Sequence, residues 1–329
     1  MKAIVFTKYG SPDVLELKEV ARPNPKDDEV LIRVHAASLN DWDWGALHGV
    51  PFVNRLIFGL LSPKKQILGS DIAGRIEAVG KNVLHFQPGD AVFGDLSGEW
   101  GGFAEYVCAR ENALALKPPS MTFEEAAAIP QAAMLALQGL RDTGRIQPGQ
   151  KLLINGAGGG VGTFAIQIAK LYGAEVTGVD SPEKLDVLRS MGAEHVIDYT
   201  EQDFTRNGQR YDLILDVKTN RSILDCARAL SPNGVYVTVG GSMPRLFQAL
   251  LLSPWISMTT NKRVGIVSLK PNKDLAYLKE LFEAGKMKPV IDGPYRLRDV
   301  PNAFRRFGEG RHKGKVVITL EQSGGRDDH

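Results

Sequence analysis

The residues with the clearest chemical meaning are the glycines of the segment INGAGGGVG at 154–162. They follow a short apolar strand pattern and open a long apolar helical pattern, which is the setting in which a glycine run binds phosphate. Glycine lets the backbone approach a pyrophosphate, and the start of a helix offers free N–H groups to it. The spacing Ala157-x-Gly159-x-x-Gly162 fits the dinucleotide fingerprint with alanine at its first position. The sequence therefore predicts a phosphate cradle formed by Gly156, Gly159, Gly160, Val161 and Gly162.

An acidic residue stands where a nucleotide ribose requires one. Asp180 lies 18 residues after Gly162, at the end of the next predicted strand. A carboxylate there binds ribose hydroxyls and repels a 2′-phosphate, whereas Lys184 can pair with that phosphate or belong to a solvated helix face. Further cofactor contacts are expected from residues near these two or at the end of a later strand: Ser181, Tyr199, Val239, Gly240 and Gly241. The cofactor is therefore predicted to be NADPH or NADH, and the choice stays open.

The elements around these residues change character along the chain. Residues 1–120 carry many short strand patterns with turn signals, which predict a barrel-like or partly open β domain. From 151 onward, strand patterns alternate with helical ones, which predicts a parallel, doubly wound sheet. Its strands are expected at 151–154, 175–180, 195–198, 211–216, 235–240 and 263–268. The fold class is α/β with a second, β-rich domain.

Other elements are predicted from local signals. A capping box at Thr122 and Glu125 begins a helix that continues to Leu140. An amphipathic helix is expected over 273–284, a short helix over 301–307 and a strand over 315–320. The polar residues 323–329 are expected to form a frayed tail.

Composition narrows the class of protein. A chain of 329 residues favours two domains, and a net charge of +2 without long charged blocks gives no indication of a nucleic-acid partner. The longest apolar run, 246–258, is interrupted by polar residues and is too short for a membrane span. The N-terminus lacks a signal-peptide pattern, so a cytoplasmic location is predicted. Two cysteines, Cys108 and Cys226, are too few for a disulfide framework or a structural zinc lobe.

Several segments in a fixed order resemble the medium-chain dehydrogenase/reductase superfamily, in its zinc-free quinone oxidoreductase-like branch. They are HAASLNDWD at 35–43, GSDIAGRIEAVG at 69–80, PGDAVF at 88–93, GGFAEY at 101–106, the glycine run, and GKVVI at 314–318. The resemblance implies a GroES-like catalytic domain of residues 1–121 plus 269–329. It implies a Rossmann cofactor domain inserted as residues 122–268, with the active site in the cleft between the two domains.

The resemblance also bears on metal binding. Zinc-dependent members of the superfamily bind their catalytic zinc with a first-loop cysteine and the histidine of a Gly-His-Glu motif. Here those positions hold Asn40 and Ser70, and the six histidines show no close pair at metal-ligand spacing. We therefore predict no metal site. The remaining chemistry is hydride transfer from NAD(P)H to the β-carbon of an alkene conjugated to a carbonyl, which the resemblance implies for quinones, enones or enals.

Candidate catalytic residues lie in and after the first loop. Asn40 can donate a hydrogen bond to a substrate carbonyl or to the nicotinamide ribose, and is otherwise a turn-forming residue. Asp43 has a similar role or orients the loop. His48 can serve as a proton donor or is a surface-loop histidine. Lys315 approaches the nicotinamide half of the cofactor or only completes a strand.

Two alternative functions stay open. Zinc-free relatives often carry a lysine or arginine soon after the Asp-Trp pair and a threonine where this chain has Leu135. Their absence favours a non-catalytic cofactor-binding protein of the same fold, while a zinc alcohol dehydrogenase is opposed by the ligand types. The strand 263–268 is expected at a sheet edge, where a second copy can pair to form a homodimer. The segment 246–258 either caps the substrate cleft or joins that dimer.

Overall fold

The computed structural model describes residues 1–52, 54–241 and 243–320, so the predicted tail at 323–329 lies outside the described residues. The chain forms two compact units. The first contains Met1–Gln131, Pro271–Glu283 and the chain from Ile291, and the second contains Ala132–Lys270 and Ala284–Val290.

The first unit is rich in short strands, as its turn signals predict. Its strands are β1 (Lys2–Val5), β2 (Glu16–Glu19), β3 (Glu29–Ser38), β4 (Asp71–Val79), β5 (Ala91–Asp95), β6 (Tyr106–Arg110), β7 (Ala115–Leu116), β14 (Ile291–Arg296) and β15 (Lys315–Thr319). Its helices are α1 (Asp41–His48), α2 (Asn54–Phe58), α3 (Phe123–Ala128), α9 (Leu275–Glu283) and α10 (Val300–Gly308). The main sheet runs β14-β15-β3-β4-β5-β7, with β6 paired to β3 and with β1 and β2 forming a separate pair.

Strand β3 lies at the centre of this sheet because every second side chain is apolar and buried. Val30, Ile32 and Val34 are at most 3% exposed and belong to the core of the unit. The register pairs Ser38, at the end of β3, with Asp71, at the start of β4. It also pairs Ser38 with Val317, the middle residue of β15, and the next residue, Leu39, donates from its N–H to the carbonyl oxygen of Val316 at 3.0 Å. The end of β3 and the starts of β4 and β15 therefore meet.

The second unit has a fully parallel sheet of six strands, which confirms the predicted doubly wound arrangement. The strands are β8 (Lys151–Asn155), β9 (Glu175–Asp180), β10 (His195–Asp198), β11 (Tyr211–Asp216), β12 (Leu230–Thr238) and β13 (Arg263–Ile266), in the order β10-β9-β8-β11-β12-β13. The helices are α5 (Gly160–Leu171), α6 (Leu185–Ser190), α7 (Ile223–Arg228) and α8 (Met243–Thr260), and α4 (Pro130–Gln138) leads into the unit. The strand order reverses between β8 and β11, and ligands bind at such a switch point beyond the carboxyl ends of the strands.

The helix predicted from Thr122 to Leu140 is correct at its start and wrong in its continuity. Thr122 Oγ1 accepts a hydrogen bond from Glu125 N at 3.1 Å, and Glu125 Oε2 accepts one from Thr122 N at 2.9 Å. The first helix nevertheless ends at Ala128 and a second begins at Pro130. Proline has no N–H to continue the ladder, so it starts a helix more readily than it extends one.

The apolar run at 246–258 lies inside helix α8. Within the described ranges, no helix is long and apolar enough to cross a membrane.

Candidate functional site

The glycine run has the predicted strand–turn–helix context. It connects β8 to α5, with Gly159 as the residue that caps the helix and Gly156 at φ +84° in the turn. A Cβ atom at Gly162 would lie 2.3 Å from the carbonyl oxygen of Gly156 and 2.5 Å from Ala157 Cα. Only glycine therefore lets the first turn of α5 pack this closely on the loop. The first N–H groups of α5 have no intrahelical acceptor, and they point toward the space in front of the helix.

Asp180, the last residue of β9, is hydrogen-bonded to this loop and stabilises it. Its carboxylate accepts hydrogen bonds from Gly158 N at 2.7 Å and from Ser181 N at 2.9 Å, and it lies 3.4 Å from the ammonium of Lys184. Lys184 is only 1% exposed, so the alternative that it belongs to a solvated helix face is wrong. Burial lowers the pKa of Lys184, while the neighbouring Asp180 opposes that shift. The carboxylate that was predicted to bind ribose is therefore already engaged by the protein.

A second carboxylate, Asp216, organises the loop after β11. It accepts hydrogen bonds from Asn155 Nδ2 at 2.8 Å, Thr219 N at 2.7 Å and the hydroxyl of Tyr236 at 2.8 Å. Burial raises the pKa of Asp216, and the bonds from Thr219, Tyr236 and Asn155 act against that rise. These hydrogen bonds fix the conformation of the loop that follows β11, the strand next to β8 in the sheet.

That loop presents Lys218, which sequence analysis missed. Lys218 is exposed, and its Cγ lies 2.8 Å from the place where a Cβ on Gly156 would stand. The first carbons of the Lys218 side chain therefore lie beside the glycine turn. The available signal was a lysine two residues after a strand that ends at the switch point.

The other predicted cofactor residues collect at the same edge of the sheet. Val239 N donates to Asp216 O at 3.0 Å directly after β12. The carbonyl oxygen of Gly240 accepts from Thr238 Oγ1 at 2.7 Å, and Gly241 adopts φ +122°. Tyr199 N donates to Asp180 O at 3.2 Å, and its side chain is 48% exposed. The structure thus brings the candidates of the second unit to the carboxyl ends of β8, β9, β11 and β12.

In the first unit, Asn40 lies in a buried polar cluster where β3, β4 and β15 meet. Asn40 Nδ2 donates to Ser70 Oγ at 3.0 Å, and Asn40 Oδ1 accepts from the ammonium of Lys315. Lys315 also donates to Asp71 Oδ2 at 3.0 Å and to Leu39 O at 3.2 Å. Leu39 contributes its backbone carbonyl oxygen, whereas the other four residues are linked by hydrogen bonds between their side chains. These four, Asn40, Ser70, Asp71 and Lys315, are at most 6% exposed.

Asp71, like Ser70, was not among the predicted site residues of this cluster. It receives further hydrogen bonds from Ser38 Oγ at 3.3 Å and Gln131 N at 3.2 Å. Asp95 lies nearby, and burial together with the charge of Asp71 raises the pKa of Asp95 to about 6. Asp71 lies in the segment Gly69-Ser70-Asp71, which the sequence already indicated as part of the site. Its ion-pair partner, Lys315, is 244 residues away, so nothing in the sequence indicated their contact.

Asp43 and His48 occupy different surroundings. Asp43 is fully buried and accepts hydrogen bonds from Asn40 N at 2.9 Å and Gly69 N at 2.8 Å. Burial raises the pKa of Asp43 to about 7, although both N–H donors oppose that rise. These contacts support the alternative in which Asp43 orients the loop.

His48 lies at the other end of α1. Its Nδ1 is 2.9 Å from the carbonyl oxygen of Trp44, and its ring packs on the Trp44 ring at a centroid distance of 4.1 Å. The carbonyl can only accept, so Nδ1 carries a proton. Among the residues that the structure describes, no hydrogen bond links His48 to Asn40 or Lys315. The proton-donor role of His48 stays a prediction.

In the described part of the chain, no three His, Cys, Asp or Glu residues are arranged to hold a metal ion.

Comparison with known proteins gives consistent matches over nearly the whole chain. Residues 26–119 match the alcohol dehydrogenase GroES-like domain, and residues 191–318 match a family described as zinc-binding dehydrogenase. The chain is 37% identical to 2-methylene-furan-3-one reductase of Solanum lycopersicum, over 97% of this chain and 79% of that protein. It is 33% identical to the chloroplastic NADPH-dependent alkenal/one oxidoreductase of Arabidopsis thaliana, with the same coverage. The structure of the quinone oxidoreductase from Coxiella burnetii superposes with a TM-score of 0.86 at 29% identity, covering 98% of this chain and 99% of that one.

Proposed function

Because the chain belongs to the medium-chain dehydrogenase/reductase superfamily, among its quinone oxidoreductase-like members, we propose that it is an NAD(P)H-dependent reductase of quinones or α,β-unsaturated carbonyls. One observation carries the choice of reaction over zinc-dependent alcohol oxidation. The positions that hold zinc ligands in metal-dependent members contain Asn40 and Ser70, which are hydrogen-bonded to each other. An amide and a hydroxyl are poor zinc ligands compared with thiolate and imidazole.

The residues of the second unit fit a dinucleotide. The close packing at Gly162 holds the N–H groups of the loop and of the first turn of α5 at the switch point of the sheet. A pyrophosphate binds at this position in dinucleotide-binding folds. When bound, the nicotinamide cofactor supplies hydride to the β-carbon of the substrate alkene.

The first unit supplies a hydrogen-bond donor. Asn40 Nδ2 has two hydrogens, one of which is directed to Ser70 Oγ. We assign the other to the carbonyl oxygen of the substrate, where negative charge develops as the β-carbon accepts hydride. The α-carbon then takes a proton from water, so no side-chain acid is required.

We further propose that NADPH is preferred to NADH. Asp180 is engaged by Gly158, Ser181 and Lys184, so its charge is balanced and its oxygens are not left for the ribose. Lys218 adds an exposed cation beside the glycine turn. The name of the Arabidopsis relative also specifies NADPH. Fluorescence titration with both cofactors tests the preference, and tighter binding of NADH would contradict it.

Steady-state oxidation of NADPH and NADH with 1,2-naphthoquinone and simple enones tests the proposed reaction. Metal analysis of the same sample accompanies it. We expect turnover without bound zinc. Tight cofactor binding without turnover on any acceptor would instead support a non-catalytic protein, which Leu135 favours because threonine is usual at that position in zinc-free relatives. Stoichiometric zinc would revive the alcohol dehydrogenase alternative.

We also propose that two copies associate through the edge of the second unit. Strand β13 ends the sheet order, and in the described chain its outer edge has no strand partner. Beside it, α8 exposes apolar side chains at helical spacing, each between 55% and 85% exposed: Phe247, Leu250, Leu251, Trp255 and Met258. Light scattering at micromolar concentration should give a dimer mass that L251E reduces, whereas a monomer mass for the wild-type protein would contradict the proposal.

A cytoplasmic location stays a prediction, because the name of the Arabidopsis relative specifies the chloroplast.

A further inference from the structure

We infer that Lys315 is a positioning residue for the proposed reaction, because its buried ammonium fixes and polarises the amide of Asn40. The inference rests on the proposed function, in which Asn40 donates to the substrate carbonyl. Lys315 contributes through Asn40, since its own donors are all used within the protein.

The protonation state of Lys315 follows from its partners. Nζ donates to Asp71 Oδ2 at 3.0 Å, to Leu39 O at 3.2 Å and to Asn40 Oδ1. A neutral amine has two hydrogens, and three acceptors around one nitrogen require the ammonium form. Asp71 is fully buried and supplies the compensating charge, so the cation is stable although Lys315 is 3% exposed.

The ammonium determines which way the Asn40 amide faces. An ammonium can only donate, so the atom of Asn40 that faces it is the oxygen. The nitrogen then faces Ser70 Oγ, at 3.0 Å. The second hydrogen of Asn40 Nδ2 has no acceptor in the residues that the structure describes. A flip of the amide, which would present an acceptor to the substrate, is excluded while Lys315 is charged.

The same contact strengthens the remaining N–H as a donor. A cation bound to an amide oxygen draws electron density from the nitrogen, and hydrogen bonds in series polarise one another. Metal-dependent members place a cation directly on the substrate oxygen. Here the positive charge is the ammonium of Lys315, and the amide of Asn40 lies between it and the substrate oxygen.

The fold explains how three distant residues form this arrangement. Asn40 follows the end of β3, Asp71 begins β4 and Lys315 begins β15, and the pairing of these strands brings all three together. Lys315 is 275 residues from Asn40 and 244 from Asp71 in sequence. The position of the cation is therefore set by strand register.

A double-mutant cycle tests whether Lys315 acts through Asn40. The four proteins are wild type, Lys315→Met, Asn40→Ala and the double variant, compared by kcat and KM for an enone. We expect Lys315→Met alone to lower kcat by about 10²-fold, in the range found for removing one oxyanion donor. In the Asn40→Ala background the same change should cost less than about 3-fold, because the amide through which it acts is gone. Losses that multiply independently would overturn the inference.

Two further proteins separate positioning from stability. Lys315→Arg retains the charge and should keep kcat within about 10-fold of wild type. Arg306→Met removes a partly buried ion pair with Asp292, of 2.9 Å, elsewhere in the first unit. It should lower the melting temperature without lowering kcat. If Arg306→Met lowers kcat as much as Lys315→Met at an equal loss of stability, a purely structural role is the better explanation.

A measurement on the wild-type protein keeps the inference falsifiable if Lys315→Met does not fold. Proton-detected NMR of ¹⁵N-lysine-labelled protein selects NH₃⁺ groups, and Lys315→Arg identifies the signal of residue 315. A slowly exchanging ammonium signal at pH 7 is expected, and a neutral amine would overturn the inference. Because this readout does not need turnover, it separates failure of the inference from failure of the proposed function.

Discussion

Replacing Gly162 with alanine tests the cofactor cradle most sharply. The added Cβ would lie 2.3 Å from the carbonyl oxygen of Gly156 and 2.5 and 2.6 Å from two backbone carbons of Ala157. All three neighbours are backbone atoms, so no side chain can move aside. An ordinary contact begins near 3.4 Å, and the first turn of α5 must therefore move from the loop by about 1 Å.

The expected effect has a stability part and a binding part. Overpacking of this kind costs about 1–3 kcal/mol of unfolding free energy. A shift of about 1 Å also misplaces the N–H groups that bind pyrophosphate, so the dissociation constant of NADPH should rise at least about tenfold. Urea unfolding and fluorescence titration of NADPH measure the two parts.

Gly149→Ala is the matched control. Gly149 has φ +78°, which is strained for alanine, yet nothing lies within 4 Å of its added Cβ. It precedes β8 at the opposite end of the strand from the glycine run. We expect a loss of stability of about 1–2 kcal/mol with an unchanged dissociation constant. Equal weakening of NADPH binding by both variants, or none by Gly162→Ala, would show that the close packing at Gly162 does not position the N–H groups that bind the cofactor.

Three other predictions concern charge and buried polar groups. Burial raises the pKa of Asp43 to about 7, so its contribution to stability is largest below the pKa of the unfolded carboxyl and should be lost, on the order of 4 kcal/mol, as pH rises from about 4 through 7. In urea unfolding, Asp43→Asn should flatten this decline of the unfolding free energy with pH, and an unchanged pH profile would count against the assignment. Lys218→Ala should weaken NADPH binding about 5- to 10-fold in titration, whereas Lys151→Ala, at the amino end of β8, should not; equal effects would argue against a phosphate contact. Tyr236→Phe should lower the unfolding free energy by about 1–3 kcal/mol because Asp216 loses a donor at 2.8 Å, and a neutral result in urea unfolding would show that water replaces the hydroxyl.

The second unit was predictable because its signals are local. A strand, a glycine turn and a helix follow one another in the short segment from Lys151 to Leu171. The glycine spacing predicts the close packing found at Gly162, and Asp180 ends the next strand. The burial of Lys184 was not predictable, because a lysine in a polar segment normally lies on the surface. It is buried here because Asp180 is held between it and the loop.

The first unit was predictable in type and less so in detail. Alternating apolar residues in β3 indicated a strand, and Asn40 was selected from the loop that follows it. The contact between Asn40 and Lys315 joins residues at opposite ends of the chain. No local pattern specifies that contact, because it depends on the register of β3 with β4 and β15. Asp43 shows the same limit, since its role is defined by an N–H from Gly69.

The position of the transferred hydrogen distinguishes reduction of the conjugated alkene from reduction of the carbonyl group. The protein is dialysed against a chelator and its metal content measured, and it is then supplied with NADPH carrying deuterium at the nicotinamide C4 and with an acyclic enone. Using each C4 stereoisomer in turn ensures that the transferred hydrogen is labelled in one of them. We expect a saturated ketone with deuterium on the β-carbon, formed by metal-free protein. An allylic alcohol with deuterium on the carbinol carbon, or activity that returns only with zinc, would contradict it.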